Sequence, residues 1–228
     1  MTIRAVISDF GGVLTTPLLR SFVSFQDETG IPFDALGRAM QSAAARDGAH
    51  PLFELEKGRL TETDFLELLR DGLEPELGHR PELHRFRDIY FDALDPNEPM
   101  VALMRELKGR DYRMALLTNN VREWEPLWRS MLPVDEIFEL IVDSAFVGMR
   151  KPEREIYELT LERLGDTAPD ECIFVDDTDL NCEAARELGM TAIHFESNEQ
   201  AVAEIAFFRW SLEGREGLGH YEVVRDDG

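Results

Sequence analysis

Short apolar runs alternate with longer amphipathic stretches along most of the chain. A run that is apolar at nearly every position has the length and character of a strand buried on both faces of a parallel sheet. The stretches between the runs repeat their apolar residues at helical spacing, and several end at a glycine, a common residue after a helix. We predict strands at residues 3–7, 114–117, 140–142, 172–175 and 192–195.

The order of these elements predicts the fold class. Strands that alternate with helices form a parallel sheet with helices on both faces. Helical spacing of apolar residues predicts helices near 101–107, 153–164 and 181–188, each between two of the predicted strands. We therefore expect an α/β fold with a Rossmann-like parallel sheet.

One connection, from the first strand to the run at 114, interrupts this alternation. It shows no strand pattern and predicts helices at 18–29, 32–46, near 50, 61–69 and 81–94. We interpret it as a helical cap inserted into the sheet domain. The predicted domains are a core of residues 1–16 and 96–228 and a cap of residues 17–95. Within the core, a last helix is predicted from residue 200 to about 210, followed by an acidic tail.

The charge balance excludes two classes of partner. The chain has 228 residues, with 24 basic and 46 acidic side chains and a formal net charge of −22. A nucleic-acid binder needs clustered basic residues, and an anionic membrane surface would repel this chain. An apolar content of 43% is too high for a disordered chain.

The cysteines and the first residues suggest the compartment. Cys172 and Cys182 lie inside apolar patterns, which is typical of reduced core thiols. The first apolar run contains Arg4 and soon meets Asp9, so we expect no signal peptide. No stretch approaches the ~20 apolar residues that span a bilayer. These observations predict a cytoplasmic protein.

Polar motifs follow the predicted strands at the positions where ligands bind in open parallel sheets. Each motif also has a structural explanation, because aspartate, threonine and asparagine commonly cap helices and glycine pairs form tight turns. Two adjacent carboxylates repel unless a cation lies between them, which favours a metal over capping at 176–177. The motifs are Asp9-Phe10-Gly11-Gly12, Thr118-Asn119-Asn120, Arg150-Lys151-Pro152 and Asp176-Asp177.

Taken in order, these motifs resemble those of the haloacid dehalogenase superfamily over nearly the whole chain. The resemblance is closer to a subgroup that includes sugar-phosphate phosphatases and the N-terminal phosphatase domain of soluble epoxide hydrolases. It implies that Asp9 is the nucleophile, that Thr118 and Lys151 are catalytic, and that Asp176 and Asp177 form the acidic pair of the last motif.

The resemblance also implies a cofactor and a substrate class. Mg²⁺ would offset the repulsion between a carboxylate and an anionic phosphate ester. The implied product of attack by Asp9 is an aspartyl phosphate, and the implied substrate is a small phosphorylated metabolite. The sequence leaves the oligomeric state open between a monomer and a homodimer. The expected metal ligands are Asp9, Gly11, Asp176 and Asp177. The expected substrate contacts are Thr118, Asn119, Asn120 and Lys151, with Arg46 and His50 of the cap as either substrate contacts or solvated loop residues.

Gly11 departs from the pattern of the family. Family phosphatases usually carry a second aspartate there, which acts as general acid, and such a group typically contributes about 10²–10⁴-fold to the rate. A phosphatase is the first hypothesis. The alternatives are a catalytically weak binding or regulatory protein and a metal-independent dehalogenase, which would not need the Asp176-Asp177 pair.

Overall fold

A parallel sheet forms the centre of the core. The structure is a computed structural model that describes residues 2–213. Within these residues the strands are β1 (Ala5–Ser8), β2 (Arg113–Thr118), β3 (Leu140–Asp143), β4 (Cys172–Asp176) and β5 (Thr191–His194). They are all parallel, in the order β3-β2-β1-β4-β5. The predicted strands are confirmed, with boundaries that differ by one or two residues.

The connection after β1 is helical, as predicted. Its helices are α1 (Leu19–Thr29), α2 (Phe33–Asp47), α3 (Pro51–Glu56), α4 (Glu62–Leu77) and α5 (Phe86–Asp92). Helix α1 ends at Gly30, whose φ is +71°. Thr61 caps α4 because its hydroxyl accepts the N–H of Asp64 at 3.1 Å.

Two of these helices have unexpected lengths. The prediction ended α4 near residue 69, but the helix continues through Gly72 and Pro75 to Leu77. Gly72 packs against α2, where an added Cβ would lie 2.8 Å from the Cβ of Ala39. Close helix packing, rather than a helix end, therefore explains this glycine. Helix α5 is shorter than predicted, because residues 81–85 precede it as irregular chain.

The remaining helices surround the sheet. They are α6 (Glu98–Lys108), α7 (Glu125–Met131), α8 (Val134–Ile137), α9 (Ser144–Val147), α10 (Arg154–Leu164), α11 (Asp179–Glu187) and α12 (Asn198–Glu213). Alternate strand residues enter two separate hydrophobic clusters: Val6 packs in the cluster that includes α6 and α12, and Ile7 in the one that includes α10 and α11. Helices therefore cover both faces of the sheet, as the fold class requires.

The two segments that join the helical insertion to the sheet are paired with each other. Thr15 and Pro96 form an isolated antiparallel bridge, and the N–H of Thr16 donates to the carbonyl of Asp95 at 2.8 Å. One hydrophobic cluster also contains side chains from both sides of this junction. The division into a core of residues 1–16 and 96–228 and a cap of 17–95 stays a proposal.

Cys172 and Cys182 are buried free thiols, as predicted. None of the helices in residues 2–213 is both long enough and apolar enough to cross a bilayer. The predicted acidic tail after residue 213 lies outside the described residues.

Candidate active site

A buried lysine joins two carboxylates at the carboxyl edge of the sheet. Asp9 follows β1 directly, and Asp176 ends the neighbouring strand β4. Lys151 Nζ lies 2.7 Å from Asp9 Oδ1 and 2.6 Å from Asp176 Oδ2, and its side chain is only 1% exposed. The order of the strands reverses between β1 and β4, which is where ligands bind in such sheets.

Asp176 is held by further donors. Its Oδ1 accepts the N–H of Thr178 and the side-chain amide of Asn181, both at 2.9 Å. The carboxylate is fully buried, so these bonds and Lys151 replace the water it has lost. Asn181 is buried, and its side chain orients this carboxylate.

Asp177 completes a group of acidic side chains. Asp9, Asp176 and Asp177 each offer one oxygen, and these oxygens lie within 4.8 Å of one another. With Lys151 beside them the formal charge is −3 + 1 = −2 when all three are ionised. Oxygen ligands and a doubly negative site fit Mg²⁺, a hard divalent cation. Gly12 makes room for Asp177, because an added Cβ would lie 2.0 Å from Asp177 Oδ2.

The cluster shifts the protonation of its members. Burial raises the pKa of Asp9 to about 8; Lys151 opposes that rise, and Asp176 and Asp177 add to it. Burial also raises the pKa of Asp177, with the Asp176 charge second. Burial opposes the charge on Lys151, but Asp176 and Asp9 outweigh it and hold the pKa of that ammonium above its usual range. A divalent cation would favour the ionised carboxylates.

The polar residues after β2 lie next to this cluster. Thr118 is buried at the strand end. Asn119 exchanges two hydrogen bonds with the backbone of Lys151: its Oδ1 accepts the N–H at 2.8 Å, and its Nδ2 donates to the carbonyl at 3.0 Å. Asn120 Oδ1 accepts the N–H of Val121. The Asn119 side chain therefore fixes the segment that carries Lys151.

Gly11 faces an apolar neighbour. An added Cβ would lie 3.1 Å from both terminal carbons of Leu18, tighter than ordinary van der Waals contact. The space beside Gly11 is thus filled by the leucine that precedes α1. A side chain at this position would have to push Leu18 aside by a few tenths of an ångström.

Arg46 and His50 make local contacts at the turn between α2 and α3. Arg46 forms a surface pair with its neighbour Asp47, with a closest distance of 2.9 Å. His50 stacks on Phe53 with ring centroids 4.4 Å apart. Burial, and then the charge of Arg150, lower the pKa of His50. Neither residue lines the cavity described next.

A cavity of about 370 Å³ opens beside Gly11, Thr118 and Asn119. Its other walls come from the helical insertion and are mostly apolar. Sequence reasoning missed this feature, because apolar residues at helical spacing are read as core. It also missed Glu56, which lines the cavity and pairs with Arg150 at 2.5 Å. Trp124 lies in the cavity wall as well.

The chain is similar to known proteins over most of its length. The family model for haloacid dehalogenase-like hydrolase matches residues 3–189. Sesquiterpene phosphatase astK of Aspergillus oryzae is 32% identical over 202 residues, which are 85% of this chain and 90% of that protein. Bifunctional epoxide hydrolase 2 of Rattus norvegicus is 27% identical over 220 residues, which are 90% of this chain. The match spans only 38% of the length of that relative.

Solved structures share the fold. A haloacid dehalogenase family enzyme from Bacteroides thetaiotaomicron, in complex with magnesium and inorganic phosphate, superposes with a TM-score of 0.62. It is 25% identical, and the superposition covers 85% of this chain and 94% of that one. Two findings show the family of this chain. The family model matches residues 3–189, and a relative that is covered over 90% of its length is 32% identical. This chain belongs to the haloacid dehalogenase-like hydrolase family.

Proposed function

We propose that this protein is a Mg²⁺-dependent phosphatase that hydrolyses a small phosphorylated metabolite through an aspartyl-phosphate intermediate at Asp9. The observation that carries the proposal is the buried contact of Lys151 with both Asp9 and Asp176, with Asp177 beside them. The Aspergillus relative is a phosphatase, which agrees with this chemistry.

Asp9, Asp176, Asp177 and the carbonyl of Gly11 would hold the metal ion. The three carboxylates carry more negative charge than Lys151 offsets, which supports a divalent cation there. When bound, Mg²⁺ neutralises the repulsion between the nucleophile and the phosphoryl oxygens. The related Bacteroides enzyme was solved with magnesium and inorganic phosphate.

The proposed reaction has two displacements at phosphorus. An oxygen of Asp9 forms a bond to phosphorus while the bond from phosphorus to the ester oxygen breaks, and the leaving alcohol takes up a proton. Water then forms a bond to phosphorus, the bond to Asp9 breaks, and inorganic phosphate and the free carboxylate result. Gly11 offers no side-chain proton donor to the first step, so water is the donor we assign.

The remaining residues bind and orient the phosphoryl group. Lys151 places one positive charge against Asp9 and the phosphoryl oxygens. The hydroxyl of Thr118 binds another oxygen, and Asn119 positions Lys151 through its two backbone hydrogen bonds. Asn120 lies beside them at the end of β2 and contributes to the same wall.

The test is phosphate release from nitrophenyl phosphate with and without Mg²⁺. We expect activity to require the ion and to disappear with a chelator. Asp9→Asn should lower kcat by roughly 10⁴–10⁶-fold, as removal of a nucleophile does elsewhere. Asp27→Asn on the exposed face of α1 is the matched control. Activity in Asp9→Asn equal to that of wild type would refute the assignment.

A further inference from the structure

The cavity beside the catalytic loops has the size of a ligand site. Its volume is about 370 Å³, within the range of roughly 300–1,000 Å³ that is typical of small-molecule pockets. Gly11, Thr118 and Asn119 form one end. Because these residues follow Asp9 and the end of β2, a group bonded to a phosphoryl oxygen would extend from the catalytic loops into this space.

The walls of the cavity are mostly apolar, and the polar side chains of Thr118, Asn119 and Asn120 lie at its catalytic end. Among the described residues that line it, Glu56 is the one carboxylate, and no lysine, arginine or histidine joins it. Glu56 is itself paired with Arg150 at 2.5 Å. The rings of Tyr90 and Trp124 also line the cavity, and they bring a phenol hydroxyl and an indole N–H that has no partner among the described residues. The remaining apolar wall consists of Phe10, Leu18, Phe22, Phe33, Leu36, Met40, Leu52, Leu55, Phe65, Leu69, Phe86, Phe91, Leu94 and Val121.

This lining selects against polar substrates. A sugar carries a hydroxyl on most of its carbons, and each hydroxyl that is buried without a partner weakens binding. A second phosphate or a carboxylate would need a cation, but the nearby guanidinium of Arg150 is already paired with Glu56. An apolar group would gain binding free energy from every contact with the wall.

The contact between Gly11 and Leu18 extends the same surface to the catalytic end. Leu18 lines the cavity and fills the space where a side chain at position 11 would begin. On the side of Leu18, the wall is therefore apolar up to Gly11.

From these walls we infer that the substrate is the phosphate monoester of a largely apolar alcohol, with its hydrocarbon part in the cavity and its phosphate against Asp9 and Lys151. This inference rests on the proposed phosphatase activity. It narrows the proposed substrate class from small phosphorylated metabolites in general to amphiphilic ones.

The test is a series of n-alkyl monophosphates from ethyl to octyl, with glucose monophosphate as the polar counterpart. A methylene that leaves water for an apolar site should raise kcat/KM about fourfold, until the cavity is full. Octyl phosphate should therefore exceed both ethyl phosphate and glucose monophosphate by several hundredfold or more. An equal kcat/KM across the alkyl series, or a preference for the sugar phosphate, would overturn the inference.

A variant of the wall links the preference to this cavity. Phe33 lines it while 45% exposed, so Phe33→Ser should still fold. We expect the ratio of kcat/KM for octyl over ethyl phosphate to fall several-fold. Phe207→Ser, at a 61% exposed phenylalanine on α12, is the matched control and should leave the ratio unchanged. If Phe33→Ser and wild type give equal ratios, the cavity wall does not cause the preference for the longer chain, and the inference is overturned.

Binding of alkylphosphonates, which are not hydrolysed, separates the two proposals. Octylphosphonate should raise the melting temperature more than ethylphosphonate does at the same concentration. If no ester is hydrolysed but this order is seen, the phosphatase proposal fails and the apolar site stands. If esters are hydrolysed and the two phosphonates stabilise the protein equally, the apolar site fails and the phosphatase stands.

Discussion

Two neighbouring regions meet at Gly11 and Thr118, and they hold opposite kinds of side chain. The polar cluster consists of Asp9, Lys151, Asp176 and Asp177. In it a buried ammonium contacts two carboxylates at 2.6 and 2.7 Å. The cap cavity, lined by the apolar side chains of the insertion and of Trp124, offers about 370 Å³ of nearly uncharged space.

The difference assigns separate tasks to the two regions. Phosphoryl transfer needs fixed charges and a metal ion, whatever alcohol leaves. Recognition of an apolar alcohol needs a large apolar contact area and a cavity of matching shape. A charged side chain in that cavity would oppose binding, because it would lose its water without gaining a partner. The formal net charge of −22 does not contradict an anionic substrate, because salt screens exposed charges beyond about 8 Å and the polar cluster acts at closer range.

The largest predicted effect on stability compares one buried residue from each region. Lys151→Met leaves buried carboxylates without their cation, and loss of one partner of a buried pair costs about 3–5 kcal/mol of unfolding free energy. Leu69→Ala in the cavity wall should cost about 2–5 kcal/mol through lost packing. Urea denaturation measures both.

Mg²⁺ should separate these two variants. It compensates the excess negative charge in Lys151→Met, so added Mg²⁺ should recover more of the stability lost in this variant than in Leu69→Ala. Lys108→Met, on the exposed end of α6, controls for the loss of a lysine. If Mg²⁺ restores the stability of Lys151→Met and Leu69→Ala equally, Lys151 does not offset the negative charge of the polar cluster.

The second prediction concerns a buried carboxyl outside both regions. Burial raises the pKa of Asp143 to about 7 from its ordinary value of 3.8. The folded protein therefore keeps a proton that the unfolded chain loses, and stability falls as the pH rises from about 4 to about 7. In Asp143→Asn, the amide oxygen can still accept the hydrogen bond from the N–H of Ala145, but the side chain cannot ionise.

Between pH 4 and pH 7, the unfolding free energy of Asp143→Asn should rise by roughly 2–4 kcal/mol relative to that of wild type. Chemical denaturation at each pH measures it. Asp27→Asn on α1 is the control. A constant difference between Asp143→Asn and wild type across this range would show that burial alone does not raise the pKa of the carboxyl.

The smallest predicted effect comes from two glycines with the same backbone conformation. Gly12 has a φ of +75° and Gly30 a φ of +71°, so alanine at either costs about 1–2 kcal/mol. Only at Gly12 would the new Cβ meet Asp177, at 2.0 Å, whereas nothing lies within 4 Å at Gly30. Gly12→Ala should therefore also weaken Mg²⁺ binding by about 10–100-fold.

Thermal shifts in a Mg²⁺ titration report this difference between the two alanine variants. Gly30→Ala should lose stability and keep the affinity of wild type for the ion. If both variants bind Mg²⁺ as wild type does, Asp177 is not needed for the metal site.

The two regions also differ in how far the sequence predicts them. The strands, the helical insertion and the sheet-edge motifs follow from local patterns, because a buried parallel strand is apolar at each position and its carboxyl end carries the chemistry. The contacts of Lys151 with Asp9 and Asp176 needed the structure. Motif order implied their proximity but not their distances.

The cap cavity follows from no local pattern. Leu36 and Leu69 show the same helical periodicity whether they meet another helix or an empty space, and only the packing of the helices distinguishes these cases. The same limit explains why the prediction ended α4 near residue 69, because the close contact of Gly72 with Ala39 depends on how the two helices pack. Arg46 and His50 do not line the cavity. Their role as substrate contacts stays a prediction, because their direction depends on how α2 and α3 pack.

The central claim is that Asp9 forms a covalent bond to phosphorus. The most direct measurement is mass spectrometry of the peptide that contains Asp9 after acid quenching of the enzyme with Mg²⁺ and octyl phosphate in the steady state. We predict that Asp9 carries one additional phosphoryl group, which is absent without Mg²⁺ and absent in Asp9→Asn. Phosphate release without any phosphorylated Asp9 peptide, or with the phosphoryl group on another residue, would contradict this mechanism.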